Sequence, residues 1–400
     1  MSDELTYEVL KGAIDGTATA FRCVTEYQPA GGPGDKIFPP TYAKAEYATE
    51  KRLINGELIN CILLDSVQSQ ANRMEMALLD FWRAKAIKLP VIEIDFSKSG
   101  ILNEIGQNWR ITTLEAPHRI ADALFRDSVL EDGTVFRSSH YAEKWGNAKP
   151  HNATSLLELC PTALLFGMWG SPRGPGLGGK FARLIVSEIV GFRAYAGVKT
   201  SSRIDPAQIT LQAGTLYEDV DGSWTLDKSR TGKLVGKKGK PSEAGHGNIT
   251  PTIERDAGVT IEKAVQTTVL SLPALRRLRF PLDGQEEASF NSVARIYLAS
   301  LGILGASWAR EQGCDLRSRC VLVPTQTFEW EIVDQPDSPW RKFVINTEQA
   351  RSLYNRAYKH VEDLGFKLMN QLTLLPTDHL AELIKNSQKF NTAEEDVAED

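Results

Sequence analysis

Leu64-Asp65-Ser66-Val67-Gln68-Ser69-Gln70-Ala71-Asn72-Arg73-Met74-Glu75 opens the most regular segment of this 400-residue chain. From residue 61 to 83, Leu64, Val67, Ala71, Met74, Leu78 and Phe81 recur at alternating three- and four-residue steps. That spacing predicts a helix over residues 61 to 83 with one buried stripe. Downstream, Leu89 to Phe96 alternates, with Ile92, Ile94 and Phe96 against Glu93 and Asp95, as a half-buried strand does. Upstream, residues 12 to 27 are rich in Thr, Ala, β-branched and aromatic types and run into Gln28-Pro29-Ala30-Gly31-Gly32-Pro33-Gly34-Asp35. This reads as a first strand entering a Gly/Pro loop. Strand, helix, strand is the order around the quoted stretch.

Residues 97 to about 160 are mixed, with short helical pieces around Pro117 to Arg126 and Ser155 to Leu159. Residues 181 to 198 are extended and apolar, and 259 to 280 read as a long strand ending in Arg276-Arg277-Leu278-Arg279-Phe280-Pro281. A second long helix carries the stripe Phe290, Val293, Tyr297, Leu301, Leu304 and Trp308, with Ala294, Ala299, Gly302 and Ala306 allowing close approach. Val321 to Val323 and Phe328 to Val333 suggest strands, and Glu348 to Lys367 a final helix. This interspersion fits an α+β sheet with helices on one face. A ferredoxin-like β-α-β-β-α-β core is expected, with large insertions separating its two helices.

Composition narrows the class. A 42% hydrophobic content supports a sizeable core. No charged leader opens the sequence and no apolar run approaches the roughly 18 residues of a membrane span. A cytoplasmic protein with no membrane partner is expected. Cys23, Cys61, Cys160, Cys314 and Cys320 are scattered without C-x-x-C spacing, which argues against a disulfide framework or a zinc site.

The net charge of -5 runs against nucleic-acid binding. Its distribution does not. Glu394, Glu395, Asp396, Glu399 and Asp400 account for the whole excess, so residues 391–400 read as a solvated acidic tail behind an elaborated domain of residues 1–390. Lys228, Arg230, Lys233, Lys237, Lys238 and Lys240 lie in an acid-free stretch broken by Gly232, Gly236, Gly239 and Pro241. That stretch reads as a flexible basic loop within residues 225–250, suited to phosphates.

Gly174-Pro175-Gly176-Leu177-Gly178-Gly179-Lys180 meets the G-x-x-x-x-G-K part of a phosphate loop. A phosphate loop needs Ser or Thr next and must open a helix. Here Phe181 follows and Leu184-Ile185-Val186 favours strand, so a glycine-rich hairpin tip is the better reading.

On the first long helix the polar positions are unusual for a plain surface. Ser66, Gln70 and Arg73 fall at helical spacing, as do Ser69 and Asn72, with Gln68 nearby, grouping hydroxyl, amide and guanidinium groups at the amino end. Such donors suit phosphate and 2'-hydroxyl contacts, aided by the helix dipole. A polar face that caps neighbouring loops is the structural alternative.

The same stretch, residues 64 to 75, resembles the signature helix of the type I-U (also called I-G) CRISPR backbone subunit, in the Cas seven group of the RAMP superfamily. The likeness continues through Leu165-Phe166-Gly167-Met168-Trp169-Gly170-Ser171, Arg183 with Val186-Ser187-Glu188-Ile189-Val190-Gly191, Arg203-Ile204-Asp205-Pro206, and Pro241-Ser242-Glu243-Ala244-Gly245-His246-Gly247-Asn248. It covers most of residues 38 to 310. The resemblance implies an RRM-like palm with large finger and thumb insertions, the thumb near residues 160–205. It further implies copies of the chain stacked head to tail along one crRNA, with target DNA and other CRISPR effector subunits as partners.

Beside that resemblance, Phe166, Met168 and Trp169 stand next to flexible glycines, and aromatic faces stack on bases. Alternation favours Phe166 as core and Trp169 as exposed. Arg173, Lys180, Arg183 and Arg203 flank this region as candidate phosphate partners, with Lys233, Lys237 and Lys238 from the basic loop. Arg276, Arg277 and Arg279 are candidates for subunit packing.

No chemistry or cofactor is expected. The six histidines show no metal-ligand spacing and no nucleophile motif is present. An RNA endonuclease using Asp35, or His246 or His140 as general acid, is the competing reading. Asp35 sits in Gly-Gly-Pro-Gly-Asp, where Asp is a common turn former.

Overall fold

The computed structural model describes residues 4–99, 109–170, 179–210, 212–337 and 339–394. The Thr6 hydroxyl accepts from Val9 N and starts helix α1 (Tyr7–Asp15), which buries Leu10, Ala13 and Ile14. Strand β1 (Ala20–Pro29) follows, then the hairpin β2 (Thr49–Ile54) and β3 (Glu57–Asp65), helix α2 (Val67–Arg83), and strands β4 (Val91–Asp95) and β5 (Arg110–Thr112). Short pieces come next: α3 (Ala123–Arg126), β6 (Ser128–Val129), α4 (His140–Gly146), α5 (Thr154–Leu159), α6 (Pro161–Leu165), β7 (Met168–Trp169) and β8 (Lys180–Phe181). Strand β9 (Ile185–Phe192) leads into a long insertion with β10 (Tyr195–Arg203), β11 (Tyr217–Glu218), β12 (Trp224–Thr225) and β13 (Ile249–Thr260). The chain returns through β14 (Lys263–Ser271), α7 (Leu272–Arg276) and α8 (Ala288–Glu311). It continues through β15 (Cys314–Arg317), β16 (Cys320–Pro324), β17 (Glu329–Val333) and β18 (Arg341–Val344), then α9 (Thr347–Asp363), β19 (Gln371–Pro376) and α10 (Asp378–Glu394).

The architecture is mixed α+β, built on an antiparallel sheet in the order β15-β16-β1-β14-β9-β3-β2. Both β16 and β17 pair with β1, at Tyr27–Pro29 and Ala20–Cys23 respectively, and β18 extends the sheet beside β17. Along the chain, β1, α2, β9, β14, α8 and then β16 and β17 form a β-α-β-β-α-β path. Its strands lie side by side in the order β16/β17-β1-β14-β9. A smaller sheet, β5-β4-β19-β6, contains a parallel pair between β19 and β4. The predicted strand after the first long helix is therefore present, but it belongs to this second sheet.

Helix α8 is buried almost throughout because small residues let its neighbours close in. A Cβ on Gly302 would stand 3.2 Å from Leu165, and one on Gly305 would stand 3.3 Å from the Met74 carbonyl of α2. On another side, Tyr297 packs against Tyr354 and Tyr358 of α9 with ring centroids 5.5 and 6.0 Å away. By length and mean hydropathy (1.2) α8 is long and apolar enough to cross a membrane, and 78% of that window is buried inside the fold.

Four boundaries differ from expectation. Residues 12–15 end α1, and β1 starts at Ala20. Residues 61–65 are strand: Cys61, Ile62 and Leu63 pair with β9, and only at Ser66, the N-cap, does the helix begin. Apolar residues at 64 and 67 fit both periods, which is why the spacing ran the helix too far back. The expected strand 259–280 is the end of β13, then β14, then α7, whose start is set by the Ser271 cap and Pro273. The last predicted helix stops at Asp363, with Gly365 at φ +95° turning the chain toward β19 and α10. Glu395, Asp396, Glu399 and Asp400 of the acidic tail lie outside the described residues.

Arg276 is internal to the fold. Its guanidinium donates to the carbonyls of Ile14, Ala13 and Ala18 at 2.8, 2.9 and 2.7 Å, capping the carboxyl end of α1 instead of serving a subunit contact.

Candidate nucleic-acid interface

The amino end of α2 is held by a bulge and a cap. The register between β3 and β9 slips between Leu63 and Asp65. This turns the Asp65 side chain inward, 4% exposed, beneath the helix start. The Ser66 hydroxyl accepts from Ser69 N at 3.2 Å. Gln70 Nε2 and Arg73 Nε donate to Asp65 Oδ2 at 2.6 and 2.9 Å, and the Arg73 Nη atoms donate to the carbonyls of Asp315 and Leu316 at 3.2 and 3.0 Å. Gln70 Oε1 accepts from Ser187 Oγ and Gln266 Nε2, and Gln266 Oε1 accepts from the Tyr27 hydroxyl and from Arg310.

Ser66, Gln70 and Arg73 therefore do not form an open donor face. Ser66 is spent on the helix cap, while Gln70 and Arg73 close a network that joins α2 to β9, β14 and β15, and Gln70 is only 4% exposed. The physical reason is position: Gln70 precedes Met74 by one helical turn and lies in the buried stripe. Ser69 is half-buried beside the cap. Gln68 and Asn72, also four apart, are the residues of this set that remain exposed.

Gln68 and Asn72 form one wall of a groove of about 450 Å³. The opposite wall is the β7–β8 hairpin, and the floor carries Pro117, His118 and Arg119. Met168 pairs with Phe181 and Trp169 with Lys180 across the hairpin. Directly paired residues share a face and successive residues alternate, so Met168 and Phe181 turn inward while Trp169 and Lys180 turn out. Trp169 is 67% exposed and Phe166 buried, as the alternation predicted. Met168, at 5%, is a core residue and not a free stacking group. Lys180 and Arg183 are exposed beside Trp169 and carry no ion pair among the described residues. Arg173 lies outside the described residues. Lys180 opens a strand and β9 follows, so this glycine-rich stretch leads into no helix.

Two groove residues escaped sequence reasoning. Arg119, 6% exposed, makes a two-pronged ion pair with Glu75 of α2, Nε to Oε1 at 2.6 Å and Nη2 to Oε2 at 2.7 Å. Its Nη1 donates to the Gly167 carbonyl at 2.9 Å. Burial pushes the Glu75 carboxyl up to about 7, while Arg119 and, more weakly, Arg183 pull the other way. Nothing local in the sequence marks this pair, which joins residues 44 apart. The second is His118, exposed on the groove floor.

The remaining candidates lie elsewhere. Arg203 is exposed on the β10–β13 ribbon opposite Ile249 and does not line the groove. Just beyond it, Asp205 accepts from Gly247 N and Ala207 N, and its own N–H donates to Asn248 Oδ1 at 2.6 Å. Those N–H donors hold the Asp205 carboxyl below its ordinary range. The motif segments at 203–206 and 246–248 thus meet in space, 42 residues apart in sequence.

The basic loop is more ordered than its glycines suggested. Arg230 and Lys233 pair with Asp219 and Glu218, and the Glu243 carboxylate accepts the backbone N–H groups of Lys237, Lys238 and Lys240. The acids come from outside the acid-free stretch. The side chains of Lys233, Lys237 and Lys238 are exposed but away from the groove. Asp35 holds the Lys36 N–H in its turn, His140 lies against Tyr141 and His246 edge-on to Trp224, so none of the three lines the groove either.

Residues 21–195 match the family model described as CRISPR-associated protein GSU0053. The matched span contains α2 and both walls of the groove. Among solved structures, the crystal structure of Thermofilum pendens Csc2 aligns with 88% of this chain and 91% of that chain, at 10% identity and a TM-score of 0.23. At that score the likeness carries no argument about fold or function. No curated protein matches the chain.

Proposed function

We propose that this chain is a crRNA-binding backbone subunit of a type I CRISPR effector of the Cas seven group, without catalytic activity of its own. The observation that carries the reading is the groove between α2 and the β7–β8 hairpin. It sets an exposed indole, Trp169, and two exposed cations with no ion pair among the described residues, Lys180 and Arg183, against the amides of Gln68 and Asn72, inside the span that matches a CRISPR-associated family. Single strands are held by this combination of stacking platform and phosphate-pairing cations.

The β-α-β-β-α-β path with neighbouring order β16/β17-β1-β14-β9 supports an RRM-like, ferredoxin-like palm. The β10–β13 ribbon with the basic loop then reads as the finger, and residues near 160–205 as the thumb. In this reading cytoplasmic copies stack head to tail along one guide, present it to target DNA and meet the other effector subunits.

Binding of single-stranded RNA by the purified chain tests the proposal. Affinity should be insensitive to sequence, fall with salt, and grow with RNA length as copies assemble. Trp169→Ala should cost about 1–3 kcal/mol of binding, as the loss of one base–aromatic stack does. Wild-type affinity in Trp169→Ala, Lys180→Ala and Arg183→Ala alike would remove the groove from the site. RNA cleavage that disappears in Asp35→Ala or His246→Ala would replace the reading with an endonuclease.

A further inference from the structure

The two walls of the groove belong to different elements, and one side chain ties them together. Arg119 spends two of its nitrogens on both oxygens of Glu75, in α2, and a third on the carbonyl of Gly167, two residues before Trp169. Glu75 lies three residues after Asn72, so the ion pair sits directly beneath the polar wall. The guanidinium also lies over the Phe166 ring, 5.5 Å from its centroid. We infer that Arg119 is a positioning residue that fixes the width of the groove and holds Trp169 ready for RNA, an inference that rests on the function proposed above.

Three observations support it. First, Arg119 adopts φ +53°, a backbone conformation that long side chains rarely take, in a 3-10 turn whose geometry aims the guanidinium inward. Second, the contact point admits no slack. Gly167 is at φ +86°, and a Cβ there would stand 3.0 Å from the Arg183 side chain and 3.1 Å from the Phe181 carbonyl. Third, among the described residues the hairpin that carries Trp169 is held across its strands only by the Met168–Phe181 and Trp169–Lys180 pairs and one bond from Gly170 N to the Gly179 carbonyl, a short ribbon that gains from an outside anchor. A planar fork with several fixed donors can triangulate such a hairpin against a helix. A lysine cannot. Holding the indole in place before RNA arrives lowers the ordering cost of binding.

The test is RNA affinity of Arg119→Lys and Glu75→Gln, each alone and combined with Trp169→Ala, at a temperature where circular dichroism shows every variant folded. Acting through Trp169, the anchor substitutions should weaken binding roughly tenfold in the wild-type background and less than about twofold once Trp169 is gone, the coupling of groups that share one task. Simple destabilisation would give equal losses in both backgrounds, and that outcome, or unchanged affinity in both variants, overturns the inference. If Arg119→Lys fails to fold, Glu75→Gln, which keeps the side-chain shape, decides alone. Wild-type affinity in Trp169→Ala alone overturns the inference, and wild-type affinity in Lys180→Ala and Arg183→Ala as well overturns the RNA reading of the groove, which tells the two failures apart.

Discussion

Gln70 on α2 accepts a hydrogen bond from Gln266 on β14 at 2.6 Å, joining the first long helix to the middle of the sheet through two buried amides. The amide that appears by spacing to face a ligand is a structural tie. Its other atom, Nε2, satisfies the buried Asp65 carboxylate, and Ser187 completes its acceptor.

Gln70→Ala should therefore cost stability. Removing it leaves polar groups of Asp65, Gln266 and Ser187 short of a partner, and an unsatisfied buried polar group costs about 1–3 kcal/mol. A loss of about 2–3 kcal/mol in urea denaturation is expected, with RNA affinity of the folded fraction unchanged. A variant with wild-type stability and weakened RNA binding would restore Gln70 to the interface.

The approach of α8 to α2 predicts a second loss. A Cβ at Gly305 would meet the Met74 carbonyl at 3.3 Å, a backbone atom that cannot swing aside. Gly305→Val should destabilise by about 1–3 kcal/mol through overpacking, despite removing a helix glycine. Thermal denaturation reads this directly, and an unchanged or raised midpoint would mean that the two helices can separate freely.

In the basic loop, order should depend on one carboxylate. Hydrogen bonds from the N–H of Lys240, then Lys238 and Lys237, hold the Glu243 carboxyl below its ordinary value of 4.5. A depressed carboxyl contributes order that is complete above its ordinary value and lost as pH falls through the lowered one. Amide hydrogen exchange at Lys237, Lys238 and Lys240 should thus lose protection below about pH 4.5 beyond the normal trend, and Glu243→Gln should abolish that pH dependence. Protection unaffected by either change would mean that the glycine turns order the loop by themselves.

Several features could be read without coordinates because they follow from local periodicity. The stripes Ala71, Met74, Leu78 and Tyr297, Leu301, Leu304 demand helices that bury one face, and both are present. Alternation separated buried Phe166 from exposed Trp169, while Met168, taken with Trp169 as a candidate RNA contact, lies with Phe166 in the core. Cap signals at Ser66 and Ser271 mark helix starts that hydrophobic period alone misplaced, since Leu64 and Val67 suit a strand as well as a helix.

What the tertiary structure alone decided is which polar groups are free. Gln70 and Arg73 share the donor chemistry of Gln68 and Asn72. Their fates diverge because a bulge turns Asp65 inward and because β9 and β14 bring Ser187 and Gln266 over the helix. The Glu75–Arg119–Gly167 link is equally invisible to spacing, since hydrogen-bond partners 44 and 48 residues apart leave no periodic trace. Periodicity reports which face of an element meets the core. Which polar atoms find partners there depends on elements distant in the chain, and so the groove and its anchor emerge only from the fold.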